Sequence, residues 1–373
     1  MILHIYSGNL FGGIETNLLA LMNADSGRFD QGPDRHQLAL CFEGRLSQEL
    51  LRMGRSPIML CPVRMRYPWT LWRARRILRQ ALLKSKIKFI VAHAAWSYKL
   101  VWPVAREFRI PIAFWNHDIL TGSNPLERFA AAHPPAKLLT NSQFTVPGME
   151  SLFHRHVDAV IYPVAHLKTV ADKSLARLQI RNEFQTPQDS VVITQFSRFE
   201  RWKGQSLLLS ALGHLNEDPS WRLWLVGGVQ KPNEIQFRDE LIAQAKKLGI
   251  FERVRFTGQR SDIAQVLAAS DIHTQPNLQP EPFGLCYIEA LAAGLPSVAV
   301  NFGGAAEILT PECGRLVPPD DPLCLSDTLS GLIRNPNLRN DLSRNGPARA
   351  RFLCDPVMAI RQLEQTLMSQ YSP

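Results

Sequence analysis

Two carboxylates, Glu281 and Glu289, stand on either side of a loop-to-helix junction in the segment EPFGLCYIEALAAGLP (Glu281–Pro296). Carboxylates accept hydrogen bonds from paired hydroxyls, so the pair suits a hydroxyl-rich ligand. Pro282 and Gly284 mark the loop, an apolar helical pattern follows, and Gly294 with Pro296 stops it. The backbone N–H groups of Phe283, Gly284 and Leu285 lie at the helix start. There they and the helix dipole favour an anion by roughly 0.3–1 kcal/mol, and Gly284 permits close backbone approach. Upstream, Arg198 and Lys203 lie five residues apart in FSRFERWKG, just beyond a strand-like run. Two such cations can converge on a diphosphate, each charge-assisted hydrogen bond contributing about 1.5–3 kcal/mol. Taken singly, the cations also fit a solvated basic loop, and the glutamates an ordinary helix-start carboxylate with a surface neighbour.

Histidines supply a second kind of chemistry. His117 follows the run IAFWN, and His93 follows FIVA. An imidazole at either strand end can hold a hydroxyl or steady a developing charge, and either also fits a satisfied structural role. No Asp-X-Asp occurs, and no Cys/His spacing suits zinc, so neither a metal nor a cofactor is expected.

These residues need strand ends and helix starts to hold them. Ile2–Tyr6 reads as a short apolar strand, followed by a turn with Gly12 and Gly13 and then a helical pattern. That is the opening of a doubly wound α/β unit. Strand and helix patterns alternate to about Val164, which predicts a mostly parallel sheet covered on both faces. Ala165–Ser190 has poor periodicity and reads as a linker and entry segment. Alternation then restarts, with strands at Val191–Phe196, Trp221–Val226, Val254–Thr257, Ile272–Gln275 and Ser297–Val300. The expected fold class is α/β: two Rossmann-like doubly wound domains facing across a cleft. The expected domains are 1–165, 166–354, and a C-terminal helix in 355–373 crossing back to the first domain. The last rests on the amphipathic tail from Val357 to Tyr371, with Ile360, Leu363 and Leu367 on one face.

Composition limits the classes. The 373 residues are 45% apolar and 20% charged, as in a soluble globular protein. Six scattered cysteines without a CxxC pair suggest reduced thiols and a cytoplasmic setting. The chain opens on a strand rather than a signal peptide, and its longest apolar run is too short to span a bilayer. The net charge of +9 is uneven: Arg64–Lys88 holds nine basic residues and no acidic one. Tyr67, Trp69 and Trp72 interleave with them, so the segment fits an anionic membrane surface, and equally a helix with apolar core residues and a solvated basic face. Nucleic acid is not expected, because no binding motif accompanies the cations.

The motifs occur in one order: LFGGIE (Leu10–Glu15), FSRFERWKG, EPFGLCYIEALAAGLP and NFGGAAEIL (Asn301–Leu309). Together they resemble the retaining family 4 glycosyltransferases of the GT-B fold, also called glycosyl transferases group 1. The resemblance implies that Arg198 and Lys203 bind a nucleotide-sugar diphosphate, that Glu289 holds the ribose and that Glu281 holds the transferred sugar. It gives Phe283, Gly284 and Leu285 backbone contacts, Gly12 and Gly13 a phosphate-facing loop, and His117 a donor-sugar contact. Gly258 to Arg260 match the segment that contacts the base. Val226–Gln230 has no acidic residue where the family often shows one. The implied reaction is metal-independent transfer, with retention, from a nucleotide-sugar to the hydroxyl of an unidentified acceptor, expected in cell-envelope polysaccharide, glycolipid (a lipid-linked acceptor) or other glycoconjugate synthesis. A nucleotide-sugar epimerase and a non-catalytic sugar-nucleotide-binding protein are the competing readings.

Overall fold

Short runs of β-branched and apolar residues form strands here because the central ones are buried on both faces and flanked by helices. The computed structural model describes residues 1–9, 12–27, 35–165, 167 and 170–369. Leu10 and Phe11 of the Gly turn, part of the expected linker, and Tyr371 of the tail lie outside the described residues. The chain divides into two compact units, residues 1–166 with 354–373, and residues 167–353.

The first unit contains β1 (Ile2–Tyr6), β2 (His36–Leu40), β3 (Ile58–Met59), β4 (Phe89–Ala92), β5 (Ile112–Asn116), β6 (Lys137–Thr140) and β7 (Ala159–Val160). They pair in parallel in the order β3-β2-β1-β4-β5-β6-β7. The order reverses direction between β1 and β4, and ligands of such sheets sit beyond the strand ends at that point. The Pro356–Met368 helix belongs to this unit. Asp355 caps it by accepting from the Met358 N–H at 2.8 Å. Ala359, Ile360, Leu363 and Leu367 pack with Leu18, Leu21 and Met22 of the Gly13–Gly27 helix and with Leu38 and Val91 of the sheet. Burying each leucine stabilises the fold by roughly 1.5–3 kcal/mol.

The second unit contains β8 (Val191–Phe196), β9 (Trp221–Val226), β10 (Val254–Gly258), β11 (Ile272–Gln275), β12 (Ser297–Val300) and β13 (Gly314–Val317). The sheet is parallel in the order β10-β9-β8-β11-β12-β13, reversing between β8 and β11. β13 adds a sixth strand to the five expected.

One stretch departs from expectation. Lys173–Glu183, inside the supposed linker, is a helix capped by Asp172, which accepts from the Leu175 N–H at 2.9 Å. Its inner face carries Ala176, Ile180 and Arg181. A charged residue at a core position hides the apolar period that marks a helix.

Candidate functional site

The chemistry of the second unit gathers beyond the carboxyl ends of β8 and β11, where the strand order reverses. β8 leads through Arg198 to a single 3₁₀ turn, Arg201–Lys203. The Lys203 carbonyl accepts from Gln195 Nε2 at 2.7 Å, which ties the turn to the strand. Lys203 Nζ lies 3.8 Å from the centre of the Trp202 ring and 2.9 Å from Glu281 Oε1. Glu281 Oε2 accepts from Gln275 Nε2 at 3.1 Å and from Asn277 Nδ2 at 2.9 Å. Three donors therefore hold one carboxylate, and both partners are mostly buried, at 12% and 20% side-chain exposure. Such a pair is screened less than a surface pair and has a fixed direction.

The loop after Glu281 is held by its neighbours. Gly284 has φ +111°, the left-handed side that favours glycine, and leads into the Leu285–Ala293 helix. Phe283 is 3% exposed. From the segment NFGGAAEIL, the Gly304 N–H donates to the Glu281 carbonyl at 2.8 Å. A Cβ on Gly304 would lie 2.2 Å from the Phe283 carbonyl oxygen, so only glycine lets the two backbones touch. Tyr287 Oη donates to the Gln275 carbonyl at 2.7 Å, joining the helix to the end of β11.

Glu289 lies one turn into that helix. Burial pushes its carboxyl up to about 7, although part of the residue stays exposed. An acid raised in this way binds more protons folded than unfolded. The free protein therefore loses stability as pH climbs from the ordinary carboxylate range through about 7. Glu289→Gln is expected to melt roughly 2–4 °C above the parent at pH 8 and level with it near pH 5, as thermal melts will show.

The other cations have carboxylate partners of their own. Arg198 Nη2 lies 2.8 Å from Glu200 Oε1, and its Nη1 3.1 Å from Glu234 Oε1. Glu234 is fully buried and also accepts from the Gln230 N–H at 2.5 Å. The turn Val226–Gln230 thus has an acid after all, supplied from the helix Pro232–Lys247 rather than from within the turn. Arg260 is clamped by Glu183 and by Asp262, at 2.8 and 2.6 Å for the latter. Gly258 has φ +74°, and its carbonyl accepts from the Gly227 N–H at 3.1 Å.

In the first unit, the Gly12 N–H donates to Glu15 Oε2 at 2.9 Å, and Gly13 begins the following helix. His117 stands just past β5, where Asn116 Oδ1 accepts from the Asp118 N–H at 3.2 Å and shapes the turn. Burial pulls the His117 imidazole down to about 3, so it is neutral. Its Nε2 lies 2.9 Å from Nδ1 of His93. The two histidines read separately from the sequence are therefore one unit.

Lys203, Glu281, Phe283, Gly284 and Leu285 are brought together in the second unit, with Glu289 on the same helix. Arg198 and Arg260 are each engaged in ion pairs of their own. Gln275 and Asn277, which orient Glu281, were not anticipated, nor was Glu234. The signal for the first two was their place at the carboxyl end of IHTQPN, where polar residues of a parallel strand face ligands. Among the described residues, no group of three or more His, Cys, Asp or Glu side chains could hold a metal ion, and no helix is long and apolar enough to cross a membrane.

The family profile described as glycosyl transferases group 1 matches residues 176–349. The D-inositol 3-phosphate glycosyltransferase of Corynebacterium glutamicum is 26% identical over 294 residues, which cover 72% of this chain and 69% of that protein. The phosphatidyl-myo-inositol mannosyltransferase of Mycobacterium leprae is 38% identical over 141 residues, covering 37% of this chain and 35% of that protein. The crystal structure of Anabaena HepE in complex with UDP and glucose superposes with a TM-score of 0.86 at 25% identity, covering 99% of each chain. With its two doubly wound sheets and its lysine–glutamate site beyond the ends of β8 and β11, the chain belongs to the glycosyl transferases group 1, glycosyltransferases of the GT-B fold.

Proposed function

We propose that the protein transfers a sugar from a uridine-diphosphate donor to an acceptor hydroxyl, with retention and without a metal ion. The observation that carries this reading is the Lys203–Glu281 pair, oriented by Gln275 and Asn277 at a helix start. Lys203 and the first N–H groups of the Leu285–Ala293 helix meet the diphosphate charge, and Arg198 joins them by exchanging a carboxylate partner for phosphate. Glu281 accepts from a sugar hydroxyl, and Glu289, once ionised, from the ribose. As the glycosidic bond breaks, the leaving diphosphate takes the acceptor's proton on the same face. His117 holds a hydroxyl of the donor sugar.

Incubation with a panel of UDP-, GDP- and ADP-sugars tests this. Donor hydrolysis or transfer is expected with a UDP-sugar. Conversion of the sugar nucleotide in the absence of any acceptor, without release of UDP, would mean an epimerase instead. UDP binding is also expected to strengthen between pH 6 and pH 8, and Glu289→Gln to lose that gain, as titration calorimetry will show.

The acceptor is of the glycolipid, inositol phosphate or cell-envelope class, reached from the cytoplasmic face of a membrane. The helix Pro68–Lys84 supports this reading. It buries Ala74, Leu78 and Leu82 while leaving Trp69 and Trp72 65% and 62% exposed among its cations. Not every cation is available: Arg75 donates to the Lys99 and Leu100 carbonyls, and Arg79 pairs with Glu107. Each remaining Lys or Arg near an anionic surface contributes roughly 1 kcal/mol, and indole rings suit the headgroup layer. Co-sedimentation with vesicles containing phosphatidylglycerol is expected to be strong at low salt and weak at high salt. A Trp69→Ala, Trp72→Ala double variant should bind markedly less; no binding of the parent at low salt would end the idea.

A further inference from the structure

Four buried imidazoles form a row across the first sheet, and the proposed reaction uses only the last. His36 and His4 lie on β2 and β1, and His93 and His117 stand just past β4 and β5. They share one sheet face because side chains alternate with period two, the same period that puts Leu38, Val91 and Trp115 on that face. Beyond the 2.9 Å contact of His117 Nε2 with His93 Nδ1, His93 Nε2 lies 2.8 Å from His4 Nδ1, and His4 Nε2 lies 2.9 Å from His36 Nδ1. His36 Nε2 then faces Glu364 Oε1 of the C-terminal helix at 3.6 Å. None of the four is more than 7% exposed.

The outer end is held firmly. The His36 N–H donates to Asp25 Oδ2 at 3.2 Å, and Arg55 donates to both Asp25 Oδ2 and the His36 carbonyl. Arg35 Nη1 lies 3.6 Å from Glu364 Oε2.

A neutral imidazole has one donor and one acceptor nitrogen. Every ring in this row points Nε2 toward Glu364 and Nδ1 away from it. Only two fully bonded orders exist, with the proton on Nε2 throughout or on Nδ1 throughout. Any mixture sets two N–H groups or two lone pairs face to face, and a buried polar group left in that state costs about 1–3 kcal/mol. A carboxylate 3.6 Å from His36 Nε2 is beyond hydrogen-bond reach, but it attracts an N–H there and repels a lone pair, and so favours the first order.

We propose that Glu364, through His36, His4 and His93, fixes His117 as the Nε2–H tautomer and thereby presents a bare Nδ1 to the donor sugar. Among the described residues, His117 Nδ1 has no hydrogen-bond partner. A lone pair in that position accepts from a hydroxyl and repels a carboxylate, so the row selects a neutral hydroxylated sugar over a uronate. Glu364 and the three inner histidines are positioning residues. The consequence for the sugar rests on the reading of His117 as a donor contact; the tautomer itself does not.

The experiment is ring-¹⁵N spectroscopy of histidine-labelled protein without ligand, with the His117 signals identified by their loss in His117→Gln. The parent is expected to show a protonated Nε2 and a bare Nδ1 at His117. Glu364→Gln, whose amide can donate to His36 Nε2, should move His117 toward the Nδ1–H form while the fold persists by circular dichroism. His4→Leu, which interrupts the row without touching the site, should release His117 in the same way. A protonated Nδ1 in the parent, or His117 nitrogens unchanged in both folded variants, overturns the proposal. His117→Ala, assayed with the active donor of the panel, is a separate arm. Full activity there removes the role of His117 in sugar binding and leaves the tautomer result standing. An inactive His117→Ala beside unchanged His117 nitrogens in Glu364→Gln and His4→Leu removes the relay and keeps the site.

Discussion

Glu281→Ala is expected to lower sugar transfer by on the order of 100- to 1,000-fold, the scale on which a fixed polar group at a reacting centre acts. The loss has two parts. The sugar loses its acceptor, and Lys203, Gln275 and Asn277 lose the carboxylate that aligns all three. Glu281→Gln separates these, because the amide keeps one oxygen for Gln275 and Asn277 but faces Lys203 with no charge. It should retain more activity than Glu281→Ala. Lys203→Ala leaves Glu281 mostly buried with its charge uncompensated, so it should lose UDP affinity as well as rate. Steady-state kinetics and calorimetry on the three variants decide the matter. Full activity of both alanine variants would reject the assignment.

The second large effect is on stability and lies away from the site. Arg181 is wholly buried. Its Nε donates to the Ala269 carbonyl at 3.1 Å, and its Nη1 to the carbonyls of Pro187, Gln188 and Ser190 at 3.2, 2.9 and 2.8 Å. Its Nη2 meets Asp271 Oδ2 at 2.7 Å, and the same oxygen accepts from the Val192 N–H at 2.7 Å. One guanidinium therefore ties the Lys173–Glu183 helix to the start of β8 and to the residue before β11. Arg181→Ala takes the guanidinium away from four carbonyls and from Asp271, which keeps only Arg177 and the Val192 N–H, and is expected to cost about 3–5 kcal/mol. Arg181→Met fills the space but not the hydrogen bonds, and should recover only part of that loss. A fall in the urea midpoint, larger for alanine than for methionine, is the expected result; an unchanged midpoint in Arg181→Ala would refute this account.

Arg181 also marks a limit of reading this chain as text. A helix is recognised from apolar residues at helical spacing, and this one spends a core position on a charge whose five acceptors lie up to ninety residues away. Nothing local announces them. Strand runs such as Val191–Phe196 and Trp221–Val226 were legible because two buried faces require continuous apolar residues. Lys203, Glu281 and the Gly284 helix start were legible as residue types in order beside a turn. Missing from that reading was which cation meets which carboxylate: Lys203 joins Glu281, whereas Arg198 is claimed by Glu200 and Glu234.

By itself, the order of residues determined the two α/β sheets, the glycosyltransferase motifs and the loop that carries Glu281. Those follow from local rules: periodicity, turn chemistry and the spacing of residues near one strand end. Only the tertiary structure decided that Gln275 and Asn277 orient Glu281, that burial lifts Glu289, and that His4, His36, His93 and His117 form one row ending at Glu364. These depend on hydrogen bonds and burial between segments as far apart in the chain as His36 and Glu364, which sheet pairing and helix packing bring within 4 Å and which no local pattern records.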